Sequence, residues 1–383
     1  MTAPTSQQHW RGAGVSIDEV LSQLSRLRAQ AARAELGDQE HIHPRNSVLD
    51  VIVVASEAEE AERAAAVVEE LAIHHPCRSV VVLDEPGRGP SRIDATVTSL
   101  THPLVLGAAC QYEQVFLRVR GSAANHISSL VDALLLPDVI TYVWWTGAPP
   151  VDSDRFRSTL ESADVVLVDS AHFSRPYETL TAYAELARRE PAVAFGDFQW
   201  ARLAPWREVV AQFFNPGERT GFLAGVGALG IDYVSSGRGN RAAASLLTGW
   251  AASALGWTLK RSATGRGGMV AAHYRSRAGH PVEVTMRPVE LDGFMPGEIT
   301  GVRVDAVHQG RTCFVNALRD GADSKHVLVD AEIAGRRVPR LVVPIPPRAD
   351  TLLLSRLLIE ARGDRVFPAA LQAGVEVLRS AQE

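Results

Sequence analysis

The chain has 383 residues, 46% hydrophobic and 22% charged, with a formal net charge of −5. That balance is globular, and the length suits two domains with cores large enough to need no staples. The net acidity argues against a nucleic-acid partner held by overall charge.

The start, Met1 to Gly14, is polar and has no apolar signal region. No apolar run reaches the ~20 residues of a spanning helix, so a cytoplasmic protein with no membrane partner is expected. Ser16-Ile17-Asp18-Glu19 has the form of a capping box, and Ile17, Val20, Leu21, Leu24 and Leu27 follow at helical spacing. A polar tail and amphipathic helix are therefore expected over 1–39, and Glu40 to Asn46 reads as a linker. Val48 to Ala55 is a short apolar run, read as a buried strand. Ser56-Glu57-Ala58-Glu59 forms a second capping box, opening a helix to about Ile73. Further strands are expected at Ser79 to Leu83, Gln114 to Val119, Val139 to Trp145 and Asp164 to Val168. Helical patterns lie near 123–135, 152–161 and 175–189. The segment 84–111 is less regular and reads as a short helix plus loop. Apolar strands alternating with helices predict a doubly wound, mainly parallel sheet with helices on both faces, spanning 40–199.

Pro205 in Pro205-Trp206-Arg207-Glu208 suits a first helical turn, and Trp206, Val209, Val210, Phe213 and Phe214 then share one face. A bridging helix is expected over 200–217. The remainder, 218–383, reads as an α+β domain with a mainly antiparallel sheet. It begins with a strand at Leu229 to Val234 and a helix at Arg241 to Leu255. Strand-like segments follow at 268–275, 281–289, 298–307, 311–318, 326–333 and 338–343. Gly279, Gly310 and Gly335 lie at hairpin positions, and two helices near 350–361 and 365–380 close the chain.

The sequence holds no G-x-S-x-G elbow, H-E-x-x-H or phosphate-loop motif, so no catalytic residue is assigned. His41-x-His43 and His74-His75 lack further ligands at metal-site spacing, so no metal is expected. Cys77, Cys110 and Cys313 form no C-x-x-C pair and read as reduced, buried thiols. Gly237-Arg238-Gly239-Asn240-Arg241-Ala242 matches G-x-G-x-x-A between a predicted strand and a predicted helix. The ribose-binding acid expected roughly 20 residues later is missing. No cofactor is therefore expected. A small anionic ligand on Gly237, Arg238, Gly239 and Arg241, at the helix N-terminus, remains an open alternative. Between Asp232 and Glu283 there is no acidic residue but there are seven basic ones: Arg238, Arg241, Lys260, Arg261, Arg266, Arg275 and Arg277. Such a stretch is a solvated face or an attractor of anions and acidic partners.

Trp144 and Trp145 close a predicted strand at the end where α/β sheets bind ligands. They read as core or as a partner's anchor. Arg202 and Arg207 fall off the apolar stripe of the bridging helix and are expected to be accessible.

The block Trp200-Ala201-Arg202-Leu203-Ala204-Pro205-Trp206-Arg207-Glu208 resembles a signature of the glucose-6-phosphate dehydrogenase assembly proteins, the OpcA family. The Trp144-Trp145 strand end, Val165 to Ser170 and His43-Pro44-Arg45-Asn46 resemble the family in order and spacing. The resemblance implies a non-catalytic partner that promotes assembly or activation of glucose-6-phosphate dehydrogenase. Trp144, Trp145, Arg202 and Arg207 are the expected contact residues, with the basic stretch second. Redox control belongs to cyanobacterial members and is not carried over, because no close cysteine pair is present. The alternative is a metabolite sensor or enzyme using the anion site at Gly237 to Arg241.

Overall fold

A computed structural model describes residues 6–36, 47–87, 89–103, 109–215, 217–235 and 240–381. The chain forms two compact units, each assembled from separated stretches.

The first unit comprises Met1–Asp169, Glu190–Gly196 and Asp350–Arg362. Its elements begin with β1 (Ser6–Ala13), α1 (Ile17–Leu36), β2 (Leu49–Ala55), α2 (Ala58–Leu71), β3 (Cys77–Glu85), β4 (Arg92–Pro103) and β5 (Ala109–Arg120). They continue with α3 (Ile127–Asp132), β6 (Ile140–Trp145), α4 (Asp154–Leu160) and β7 (Val165–Val168). A further helix, α5 (Pro176–Arg189), precedes β8 (Ala194–Asp197) and belongs to the second unit. Among the described residues the sheet has eight strands in the order β1-β4-β5-β3-β2-β6-β7-β8. From β5 through β3, β2 and β6 to β7 every pairing is parallel. Every residue of β2 and β3 is buried, as strands covered on both faces require. The chain leaves β2 for β3 on one side and later returns to β6 on the other, so the switch point lies between β2 and β6.

Two expectations need correction. The polar tail is strand β1, paired antiparallel with β4 from Ser6↔Thr101 to Ala13↔Asp94. The segment 84–111 is neither helix nor simple loop: it completes β3 and supplies β4, which pairs antiparallel with β5. The edge strand β1 is held by backbone pairing rather than by apolar side chains, and β4, inside it in the sheet, turns small Ala95 and Ser99 inward beside Val97, which weakens its pattern. The serine half of the first capping box is present, Ser16 Oγ accepting from Glu19 N at 3.2 Å. The second is not: Glu57 is the N-cap of α2 and its side chain makes no capping bond.

At the amino ends of the parallel strands, Arg78 donates to Glu113 at 2.8 and 3.0 Å and to Leu134 O at 2.7 Å. Arg28 of α1 donates to the same carboxylate at 2.8 Å. Asp50 is 1% exposed, and its Oδ2 accepts from Leu136 N at 2.7 Å. Burial pushes the Asp50 carboxyl up to about 6; the Leu136 N–H and Arg78 pull it down less, and Glu113 adds to the rise. A raised carboxyl destabilises the fold only when ionised, so the penalty grows from about pH 4 to about pH 6 and then stays. Asp50→Asn is expected to stabilise the chain by up to ~3 kcal/mol at pH 7.5 and by little at pH 4.5. Urea denaturation at the two pH values checks this; equal stability of both proteins at pH 7.5 contradicts it.

The second unit comprises Ser170–Arg189, Asp197–Ala349 and Gly363–Glu383. After α5 come α6 (Phe198–Arg202), α7 (Ala204–Phe214), α8 (Gly217–Leu223), β9 (Val226–Val234) and α9 (Ala242–Leu255). Then follow β10 (Thr258–Thr264), β11 (Val270–Arg275), β12 (Pro281–Val289), β13 (Ile299–His308) and β14 (Arg311–Arg319). The last are β15 (His326–Ile333), β16 (Arg336–Pro344), α10 (Asp350–Glu360), which joins the first unit, and α11 (Val366–Ser380). Among the described residues the second sheet runs β10-β11-β12-β9-β13-β14-β15-β16. All its pairings are antiparallel except β12 with β9. Two hairpins turn on Gln309-Gly310 and Ala334-Gly335, where both residues of each pair have positive φ, as primed two-residue turns demand. No helix among the described residues is long and apolar enough to cross a membrane.

Along β13 to β15 inward residues such as Val302, Val304, Val315 and Val329 are buried. Outward residues remain in solvent, Val307 at 53%, Phe314 at 46% and, on β16, Val342 at 59% exposure. Helices α9 and α11 approach backbone to backbone. A Cβ built on Gly249 would lie 2.0 Å from Ala370 O, and one on Gly374 would lie 2.6 Å from Ser245 O.

Candidate functional site

In a doubly wound sheet, ligands sit outside the carboxyl ends of the strands at the switch point. In the first unit that place is framed by the β2–α2 turn and the ends of β3 and β6. The turn reads Ala55-Ser56-Glu57-Ala58-Glu59-Glu60 and contains no glycine. Glu60 Oε2 accepts from Thr146 Oγ1 at 2.8 Å, and Thr146 N donates to Val54 O at 3.1 Å, so a carboxylate bridges from α2 to the end of β6. Asp84, near the end of β3, accepts from Arg155 Nη1 of α4 at 2.7 Å. Burial raises the Asp84 pKa and Arg155 opposes the rise.

Trp144 and Trp145 end β6 in this region at 1% and 7% exposure. Trp145 packs on Phe156 with ring centroids 5.2 Å apart. The expected contact role does not suit these positions. Strand β6 lies inside the sheet, between β2 and β7, and both of its faces are packed, so neighbouring side chains on opposite faces are both core.

The Trp-Ala-Arg-Leu block forms α6 and α7 of the second unit. Asp197 caps α6, accepting from Gln199 N at 2.9 Å, and also holds Ser170 through its N at 3.0 Å and Oγ at 2.6 Å. Trp200, 4% exposed, donates Nε1 to Asp364 at 2.9 Å. The Arg207 guanidinium lies 3.4 Å over the Trp200 ring and donates to Trp200 O at 2.8 Å. Arg207, expected to be accessible, is therefore half-buried as a clamp on Trp200. Arg202 is also half-buried and lies 3.5 Å from Gln199 Oε1. Trp206 is core, as its apolar stripe predicts. The pairing of Trp200 with an arginine seven residues later is a signal the sequence carries but the apolar stripe conceals.

Of the proposed anion site, Gly237, Arg238 and Gly239 lie outside the described residues, as do His41 and His43. Asn240 anchors the segment, donating to Ser170 O and Ala171 O at 2.7 and 2.8 Å and accepting from Ala242 N at 2.8 Å. Arg241 bonds to Tyr233, whose pKa burial raises and Arg241 lowers. Lys260 and Arg261 are exposed on β10, at the sheet edge, where charge discourages pairing with another chain.

Elsewhere the chemistry is sparse. A pocket of about 250 Å³ in the second unit is lined by residues such as Val210, Phe214, Leu229, Trp250 and Trp257, with no titratable side chain around it. No group of three His, Cys, Asp or Glu that could hold a metal occurs among the described residues. His75 is instead bonded to Ser355 at 2.8 Å. Cys77 and Cys313 are buried, and burial raises the Cys313 thiol pKa.

In fold the chain is similar to an oxidoreductase of known structure. An NAD binding oxidoreductase from Klebsiella pneumoniae matches 88% of this chain and 96% of its own, with a TM-score of 0.50 and 12% identity. The sequence is more specific. Residues 68–185 match the glucose-6-phosphate dehydrogenase subunit N-terminal domain, and residues 193–371 match the C-terminal domain of the same family. The chain belongs to this family, OpcA. Similar curated relatives named OxPP cycle protein OpcA come from Synechocystis sp. (32% identical over 50% of this chain) and Synechococcus elongatus (31% over 63%). The aligned region spans 40% and 55% of those relatives' own lengths.

Dinucleotides bind this fold through a glycine-rich first turn, a helix N-terminus on the pyrophosphate and an acid on the ribose. The crevice described above does not fit that group. Its turn lacks glycine, its helix start carries Glu57, Glu59 and Glu60, and Arg155 holds one oxygen of its strand-end acid while the other is buried.

Proposed function

We propose that this chain is a non-catalytic partner of glucose-6-phosphate dehydrogenase, favouring the active or assembled state of that enzyme in the oxidative pentose phosphate pathway. Membership of the OpcA family across both units carries this reading. The crevice supports it, since it holds salt-bridged and hydrogen-bonded carboxylates rather than a cofactor cradle. The partner would be activated by preferential binding to one of its states. Moving an equilibrium from 1:99 to 99:1 takes about 5.5 kcal/mol of preference.

For the contact surface we propose the open face of β13 to β16 instead of the buried Trp144–Trp145 strand end. There a shallow trough of about 400 Å³ is lined by Phe314, Asn316, Arg303, Asp305, Asp330 and Arg340. An exposed aromatic ringed by charged groups is the usual composition of a contact hot spot. Phe314→Asp is expected to weaken binding of the dehydrogenase by ~2 kcal/mol or more, roughly thirtyfold, with the fold intact. Co-purification, mass measurement of the complex and dehydrogenase assays with and without the chain test both statements. A dehydrogenase from the same cell whose activity, substrate affinity and oligomer size ignore the wild-type chain ends the proposal. Normal binding by Phe314→Asp ends only the choice of surface.

A further inference from the structure

We infer that the switch-point crevice of the first unit carries its own anion where this fold elsewhere takes a phosphate, so that the chain binds neither NAD nor NADP there. The inference concerns the isolated chain and stands independently of the proposed partnership.

Three observations converge. A phosphate approaches a helix N-terminus closely only where the backbone is bare. Here each residue from Val54 to Glu60 carries a Cβ, and the turn holds an extended N-cap at Glu57 instead of a glycine loop. The second observation is charge. The field at a helix N-terminus attracts one anion, and α2 already has Glu59 and Glu60 in its first turn. Glu60 is fixed there by the Thr146 hydroxyl at 2.8 Å, across the gap between β2 and β6 that a pyrophosphate would need. Any arriving phosphate would face this carboxylate. The third is the ribose position. An acid near the end of the second parallel strand exists, Asp84, but its Oδ2 is held by Arg155 at 2.7 Å. Trp145, 7% exposed against Phe156, fills the neighbouring end of β6. The crevice thus works as a brace: Glu60 ties α2 to β6, and Arg155 ties α4 to β3.

The test is calorimetric titration of the full chain with NADP⁺, NADPH and NAD⁺, paired with amide hydrogen exchange. No saturable binding is expected up to about 1 mM nucleotide, the weak end of specific affinity. Exchange at residues 55–61 and 145–156 is expected to be unchanged by nucleotide. Saturable binding with protection of those two segments overturns the inference. Saturable binding with protection confined to other segments leaves the crevice closed to nucleotide and upholds it. Mass measurement of the dehydrogenase complex, made without nucleotide, reports separately on the partnership, so failure of one reading is not mistaken for failure of the other.

Discussion

Gly249→Ala is expected to destabilise the second unit by ~3–5 kcal/mol, a large share of a typical domain's stability. Helix propensity alone predicts the reverse, since alanine is favoured over glycine inside a helix by about 1 kcal/mol. Packing decides the sign. The new methyl would lie 2.0 Å from Ala370 O and 2.5 Å from Gly374 N, both backbone atoms of α11. No side-chain rotation relieves such a clash, so the two helices would have to separate and expose Leu246, Leu247, Leu371 and Val375, all now buried. Gly217→Ala is the control, because a Cβ there meets nothing within 4 Å. Thermal melts by circular dichroism compare the two. A Gly249→Ala protein melting with the wild type would show that α9 and α11 do not approach as described.

Glu113→Ala is expected to cost ~3–5 kcal/mol in the first unit. The loss would come less from the missing attraction than from Arg78, 4% exposed, left charged with Leu134 O as its hydrogen-bond partner and the more distant influence of Asp50. Burial by itself raises the Glu113 carboxyl, but hydrogen bonds and charge from Arg28 and Arg78 hold it below the ordinary value. A depressed carboxyl contributes stability above its unfolded pKa, about 4.5, and loses it as pH falls through the folded value. The gap between wild type and Glu113→Ala should therefore narrow in acid. The double substitution Arg78→Met with Glu113→Leu should recover most of the stability, because no charge is then stranded. Chemical denaturation of the three proteins at pH 7.5 and pH 4 checks the ordering; a double variant no better than the single one contradicts it.

The sequence was most legible where side chains report burial. Strands β2, β3, β6 and β7 are apolar runs because both sheet faces are covered, and the hairpin glycines mark turns that need positive φ. It was least legible at edges. Strands β1 and β10 hold their places by backbone pairing, and their polar side chains carry no pattern. The candidate site shows the same division. A tryptophan pair at a strand end is visible in sequence, but whether both faces of that strand are packed is a property of the assembled sheet. Arg207 could be placed off the apolar stripe, yet only the folded chain shows that it lies flat on Trp200. Likewise the acidic first turn of α2 reads as ordinary capping, and its bond to Thr146, 86 residues away, depends on strand order.

Neither unit is a continuous stretch of chain. The first contains 190–196 and 350–362, the latter holding α10, whose Thr351 and Ser355 bond to Glu70 and His75 and whose Leu358 carbonyl accepts from Tyr142. During synthesis, then, the amino-terminal sheet must wait with one flank bare until residues 350–362 have emerged from the ribosome. The two units ripen together rather than in turn, and a nascent chain halted near residue 340 presents a half-clothed sheet to chaperones and to its neighbours.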